Sequence, residues 1–467
     1  MDVRSSEFKH SAHIALQDAN LQQALGNLKA GFPGKRAAAI ARLPEFDQLR
    51  DQARDLKNHI LEHLDLYLEE FERKVVANGG SVHWCRTAED ARCTILELCQ
   101  AQNAKTVTKG KSMVSEEIGL NDYLEARGIT PVETDLGEYI LQLRQDHPSH
   151  IVAPAIHLTL NDVSEAFHEH HQRPKSDDPA VLMREAREML RQKFVAADVG
   201  ITGANFLIAE TGSTIICTNE GNGDLTQTLP KTHIVVSSIE KVVPTLEDMT
   251  LFLRLLARSA TGQEFTVYNT LSSGPRRPGD QDGPEHFHVV LVDNGRSEML
   301  GSDFQEMLRC IRCSACMNHC PVYGAVGGHS YGWVYPGPMG SVLTPQMVGI
   351  ENAALLPNAS TFCGKCEEVC PVRIPLPKLM RHWREREFER HLTPGAARYG
   401  LGFWAFFARR PALYRWLAAS GNRLLRLLGG KRGRISRLPL AGGWTDYREM
   451  PAPSGKTFMQ QWQERNR

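Results

Sequence analysis

The chain is 467 residues long, which at about 150 residues per domain predicts roughly three structural units and excludes a single small module. Its composition, 42% hydrophobic and 23% charged, is that of a folded globular protein and excludes a disordered or fibrous one. Lys+Arg and Asp+Glu both number 54, so no bulk field marks nucleic acid as a partner.

Residues Met1 to Lys9 carry charges with no apolar run behind them, so a cytoplasmic chain without a secretory signal is expected. No run of about 18 apolar residues predicts a spanning helix. Residues 1–69 read as a helical lead-in, with apolar residues at helical spacing from Asp55 to Leu64. Residues 70–298 read as an α/β domain. It opens with the strand Ser81–Cys85, a helix from Thr87 through Leu98 and the strand Thr106–Thr108, which together predict a parallel βαβ unit. Further strands are predicted at Ile151–Ala153, Ala196–Gly200, Thr214–Thr218, Ile234–Ser237 and His288–Val292.

Within this domain the glycine-rich stretches Gly200–Thr214 and Thr218–Asp224 fit turns between strands. Their backbone N–H groups could also cradle an anion, with Glu210 and Glu220 as candidate site carboxylates. Lys109-Gly110-Lys111-Ser112 follows a strand and reads as a solvated loop, with an anionic ligand as the alternative. His157, His168, His170 and His171 form the densest histidine cluster, which the flanking Glu165, Glu169 and Gln172 mark as a solvated face rather than a metal site.

Residues 299–392 form a third region of cysteine motifs, short helices and Pro/Gly turns. Residues 393–467 form a basic aromatic tail in which no Asp or Glu occurs between Glu389 and Asp446. Its helical stretches, with Phe403, Trp404, Phe406 and Phe407 among arginines, suit docking on a partner subunit or peripheral contact with an anionic membrane. No internal repeat of 20 to 50 residues is evident.

Seven of the eleven cysteines fall between Cys310 and Cys370. Cys310, Cys313, Cys316 and Cys320-Pro321 make the C-x2-C-x2-C-x3-C-P run of cubane iron–sulfur proteins. In two-cluster proteins the last cysteine of that run ligates the other cluster, so a second motif is required. Cys363, Cys366 and Cys370-Pro371 supply it. The crossed pattern predicts one [4Fe–4S] cluster on Cys310, Cys313, Cys316 and Cys370, and a second on Cys320, Cys363 and Cys366. Counting back from Cys363, the missing fourth position of the second set is Ser360. That cluster is then either a [4Fe–4S] cluster with Ser360, water or another ligand on its fourth iron, or a [3Fe–4S] cluster. Zinc would also accept paired thiolates, but two C-x3-C-P endings and an odd total argue against it. Cys85, Cys93, Cys99 and Cys217 are expected to be packing residues. No GxGxxG after a strand and no phosphate loop suggests a nucleotide cofactor, so the chain reads as an electron relay that needs partners on both sides.

The cysteine order, the preceding α/β domain and the phrases Glu133–Tyr139, Ile208–Gly212 and Pro338–Ser341 resemble the lactate utilization protein B family over nearly the whole chain. The resemblance implies an α/β LUD domain similar to the CoA-transferase and formyltetrahydrofolate cyclo-ligase type of fold, followed by a mainly α-helical dicluster ferredoxin domain. It also implies an iron–sulfur subunit that acts with companion lactate utilization proteins A and C in oxidising L-lactate to pyruvate. It carries over no catalytic residue, and it leaves the electron acceptor open. Two other classes compete: an acyl-, CoA- or folate-handling enzyme working through Glu220 with structural clusters, and a redox-sensing iron–sulfur protein.

Overall fold

The computed structural model describes residues 3–438, 442–446 and 448–466. They fall into a compact unit ending at Glu387 and a second beginning at Phe388.

The first unit opens with the helices Phe8–Ala15, Ala19–Ala41, Phe46–Glu62 and Leu64–Ala77. In the third, Leu49, Ala53, Ile60 and Leu61 recur at helical spacing and are buried; Arg50 and Lys57, seven residues apart, are buried with them.

Ten strands follow: β1 Ser81–Cys85, β2 Thr106–Lys109, β3 Thr130–Glu133, β4 Val199–Gly203, β5 Phe206–Ile208, β6 Ser213–Thr218, β7 Thr232–Ser238, β8 Val242–Val243, β9 Tyr268–Ser272 and β10 His286–Val292. Six of them make a parallel sheet in the order β1-β10-β7-β4-β2-β3, and the other four a small sheet in the order β8-β5-β6-β9. β7 is buried at every position, as a central strand covered on both faces must be. The helix Ala88–Ala101, closed by a capping box between Thr87 and Asp90, packs Ile95 and Cys99 against Val107, Ile201, Ile234 and Val290. At Gly200 a Cβ would meet the Thr226 carbonyl oxygen at 1.8 Å, so this strand accepts only glycine there.

Three expectations change. β1 and β2 share the sheet but are separated by β10, β7 and β4, because chain order alone does not fix strand order. The predicted strand at Ala196–Gly200 begins later, at Val199, since the preceding helix Pro179–Ala196 runs through Ala196. Ile151–Ala153 is not a strand. It is a turn between Pro148 and Pro154, and its amides at Val152 and Ala153 donate to Nδ1 of His150 at 3.1 and 3.0 Å instead of to a ladder.

The cysteine region is built of short helices, including Ala315–Asn318, Lys365–Glu368 and the largely buried Gly337–Val348. A buried ionic network joins it to the α/β part. Arg296 pairs with Glu117 at 2.6 Å and Glu240 at 3.0 Å, Arg312 pairs with Glu240 at 3.2 Å, and Tyr335 donates to Glu117 at 2.6 Å. Burial opposes ionisation of Glu240, yet Arg296 and Arg312 hold its carboxyl down at about 2.

In the second unit the helices Gly395–Ala408 and Pro411–Leu428 have no buried residue. Arg410 lies over the Phe406 ring at 3.7 Å, and Tyr399, Phe403 and Trp404 are exposed. No described helix is long and apolar enough to cross a membrane.

Candidate metal centres

The seven cysteines of the motifs line two separate cavities. Cys310, Cys313, Cys316 and Cys370 face one, and Cys320, Cys363 and Cys366 face another together with Ser360. A set of thiols converging on one small space suits one compact inorganic group.

Both are wrapped by the same backbone path. Arg312 and Ser314, on either side of Cys313, have φ of 58° and 62°; Phe362 and Gly364, on either side of Cys363, have φ of 55° and 79°. Left-handed backbone at three non-glycine residues costs energy and recurs where the chain must curl around something. Each motif then enters a four-residue helix, and the cysteine before proline closes it: Cys320 N donates to Met317 O at 3.0 Å and Cys370 N to Glu367 O at 3.2 Å. The two segments are therefore a structural repeat offset by fifty residues, a correction to the expectation of none.

The donor set fits iron–sulfur clusters. Backbone amides already point at the sulfurs: Arg312 N at Cys310 Sγ (3.5 Å), Tyr323 N at Cys320 Sγ (3.5 Å) and Ile374 N at Cys370 Sγ (3.4 Å). Such donors stabilise thiolates that bear a cluster's charge. Burial, helped by the neighbouring thiols, pushes the Cys370 thiol up to about 11 and that of Cys366 up to about 12, so positive charge in the cavities is what would hold them ionised.

The surroundings of the two cavities differ. Around the first, Arg50 Nε and a terminal nitrogen donate to Cys370 O at 3.0 and 2.8 Å, Arg36 donates to Val369 O at 2.9 Å, and Lys57 Nζ donates to Glu240 O at 2.5 Å. Burial lowers the Lys57 ammonium to about 8, against the pull of Glu240 and Cys310. Around the second, Cys363, Thr361 and Phe362 are exposed. The Cys363 thiol is lowered by the Lys365 amide and the Thr361 hydroxyl. The sequence reading missed Arg36, Arg50 and Lys57; the signal available was the recurrence of Arg50 and Lys57 on the apolar face of their helix.

A third cavity lies at the carboxyl ends of β2 and β4, where open α/β sheets bind ligands. It brings together Gly110, Lys111 and Ser112 with Asp135, Glu220 and Lys241, and it shares Ile151 and Arg312 with the wall of the first cysteine cavity. Lys111 is thus a cavity residue rather than part of a solvated loop, and Lys109 is fully buried between Glu116 (2.7 Å) and Glu133 (2.8 Å). Burial and the neighbouring Asp135 raise the Glu220 carboxyl. Glu210 lies elsewhere and accepts from Leu246 N at 3.1 Å.

The histidines do not share one solvated face. His168 and His170 are exposed, but the His171 ring is buried between Tyr139 Oη (2.8 Å) and Glu185 (2.7 Å), because it sits on the inner side of its helix. His157 pairs with Asp146 at 2.9 Å, and His329 comes within 3.7 Å of the same carboxylate. Cys85 and Cys99 are buried packing residues as expected, Cys93 lies 3.3 Å from Tyr123 Oη, and Cys217 lines the third cavity.

Taken together, a mostly parallel α/β domain followed by a cysteine-rich region of ferredoxin type defines an iron–sulfur protein of the electron-transfer class. Three family models match: the LUD domain over residues 68–292, a 4Fe-4S dicluster domain over 306–374 and the lactate utilisation protein B C-terminal family over 378–467. The chain is 46% identical to lactate utilization protein B of Geobacillus kaustophilus (strain HTA426), over 100% of this chain and 98% of that one. It is 43% identical to lactate utilization protein B of Shouchella clausii (strain KSM-K16), over 98% and 96%. It is also 42% identical, over 98% and 97%, to a protein of Escherichia coli (strain K12) described as the uncharacterized electron transport protein YkgF. The chain belongs to the lactate utilization protein B family.

Proposed function

We propose that this chain is the cytoplasmic electron-relay subunit of a complex that oxidises L-lactate to pyruvate, acting with companion lactate utilization proteins A and C. One [4Fe–4S] cluster is held by Cys310, Cys313, Cys316 and Cys370, and a second by Cys320, Cys363 and Cys366, within a region spanning 299–392. The observation that carries this reading is the division of the seven thiols between two cavities, with each cysteine before proline assigned to the set of the other motif. Oxidation of a 2-hydroxy acid to a 2-oxo acid releases two electrons and two protons. Clusters accept electrons singly, so a chain holding two suits the task of passing them on, while the chemistry at the substrate falls to a partner. The exposed tail helices are the surface assigned to that partner.

The test is anaerobic co-purification of the tagged chain with its partners, followed by addition of L-lactate, with glycolate and dithionite as controls. Bleaching of the iron–sulfur absorbance and a new EPR signal on lactate, only with partners present, is the expected result. Reduction by dithionite but never by lactate would remove the lactate assignment.

A second reading is favoured by the third cavity, where Glu220, Lys111 and Arg312 meet beside the first thiol set. In it the 70–298 domain, of the CoA-transferase and cyclo-ligase type, handles an acyl, CoA or folate ligand and the clusters are structural. Glu220→Gln would then abolish turnover of such a ligand with both clusters intact; binding of none of these ligands would dismiss it.

A further inference from the structure

The second thiol set has three cysteines where the first has four, and the fifty-residue offset between the motifs identifies what stands in the fourth place. Cys313, Cys316 and Cys320 correspond to Cys363, Cys366 and Cys370, and Cys310 corresponds to Ser360. The correspondence extends to the hydrogen bond at the first position. Arg312 N donates to Cys310 Sγ at 3.5 Å, and Phe362 N donates to Ser360 Oγ at 3.1 Å, with the donor residue at φ 58° in one case and 55° in the other. The oxygen therefore accepts the same i+2 amide that the sulfur accepts, on the same turn, and Ser360 lines the cavity of Cys320, Cys363 and Cys366.

Resting on the two-cluster reading above, we infer that Ser360 Oγ is the fourth protein ligand of the second cluster, making it a complete [4Fe–4S] cluster with three sulfur ligands and one oxygen ligand. Ligation needs no redox partner: the serine O–H bond breaks, its proton goes to solvent, and an iron–oxygen bond forms in place of iron-bound water. Oxygen is a harder donor than thiolate and favours the more oxidised iron, so the second cluster is held at a lower potential than four cysteines would give it. The amide of Phe362 stays on the ligated oxygen, as that of Arg312 stays on its sulfur.

The experiment compares anaerobically purified full-length wild type with S360A, S360C and C363A, reading iron and acid-labile sulfide per chain and the EPR of oxidised and dithionite-reduced samples. Wild type is expected to hold about eight iron atoms with no three-iron signal in the oxidised state. S360A should lose about one iron and show that signal, and S360C should keep about eight with a raised second midpoint potential. Full iron content and an unchanged second-cluster spectrum in S360A, or a three-iron signal in carefully prepared wild type, would overturn the assignment. Failure of the underlying reading looks different: wild type would lack two clusters altogether, or C363A would leave both spectra intact.

Discussion

The two thiol cavities use the same local chain and place it in opposite surroundings. The first lies beneath the N-terminal helices with none of its cysteines exposed, Arg36 and Arg50 on the carbonyls of its closing turn and Lys57 held close by. The second opens to solvent at Cys363. Hydrogen bonds, nearby charge and exposure set cluster potentials over a range of about a volt, so near-identical ligand loops can serve different steps of one relay. On the two-cluster reading proposed above, fixed cations around the buried set would stabilise the reduced form of its cluster, and the exposed Cys363 leaves the second set open to a partner.

The largest expected effect comes from breaking the ionic network that seats the buried set. Arg296 has no exposed side-chain surface and bridges Glu117 and Glu240, the latter also holding Arg312. Arg296→Met leaves Glu117 in the interior without a cation and Glu240 with Arg312 as its partner, and denaturant unfolding should report a loss of about 3–5 kcal/mol.

The next effect is a pH dependence at His150. Its Nδ1 accepts two amides, so Nε2 carries the proton and donates to Asn318 Oδ1 at 2.9 Å. Burial lowers its pKa to about 4. The folded-state value lies below the ordinary 6.5, so the stability His150 provides is present in full above pH 6.5 and is lost as pH falls to about 4. Over that window the loss amounts to about 3 kcal/mol for this residue, seen as a falling midpoint in unfolding titrations. Buried His233, lowered to about 3, adds in the same direction. In a His150→Gln variant the His150 part of the slope should vanish.

These sites also mark what could be read in advance. The cysteines were legible because cluster ligation is local and spacing alone selects the thiols. Strands such as β6, β7 and β10 were legible because β-branched runs bounded by turns have few other uses. The repeat was not, since beyond the cysteines its two copies share only Pro321/Pro371 and Val322/Val372, while the common feature is a backbone path. Arg50 and Lys57 were hidden because a cation on a helix is ordinarily solvated, and only tertiary packing reveals their acceptors, Cys370 O and Glu240 O, which lie 320 and 183 residues away in the chain. The Ile151 turn was misread because an apolar triplet has strand character until the ring of His150 takes its amides.

The comparison is sharpest where one cation is removed from each cavity. Arg50→Met takes away donors to the Cys370 and Glu368 carbonyls. It should cost about 1–3 kcal/mol and lower the midpoint potential of the first cluster by an amount that salt hardly changes, because buried charge is poorly screened. Lys365, on the rim of the second cavity, pairs with Glu368 at 2.5 Å, but the two side chains are 43% and 66% exposed. Such a pair contributes little, so Lys365→Ala should shift stability by less than about 0.5 kcal/mol. Its effect on the second potential should be small at low ionic strength and should fade as salt is raised past the point where the Debye length is about 10 Å. Redox titration of both variants at two salt concentrations checks this. Equal salt sensitivity at the two sites would mean that the helices over the first cavity do not exclude solvent, and that the division into a buried and an exposed relay station is wrong.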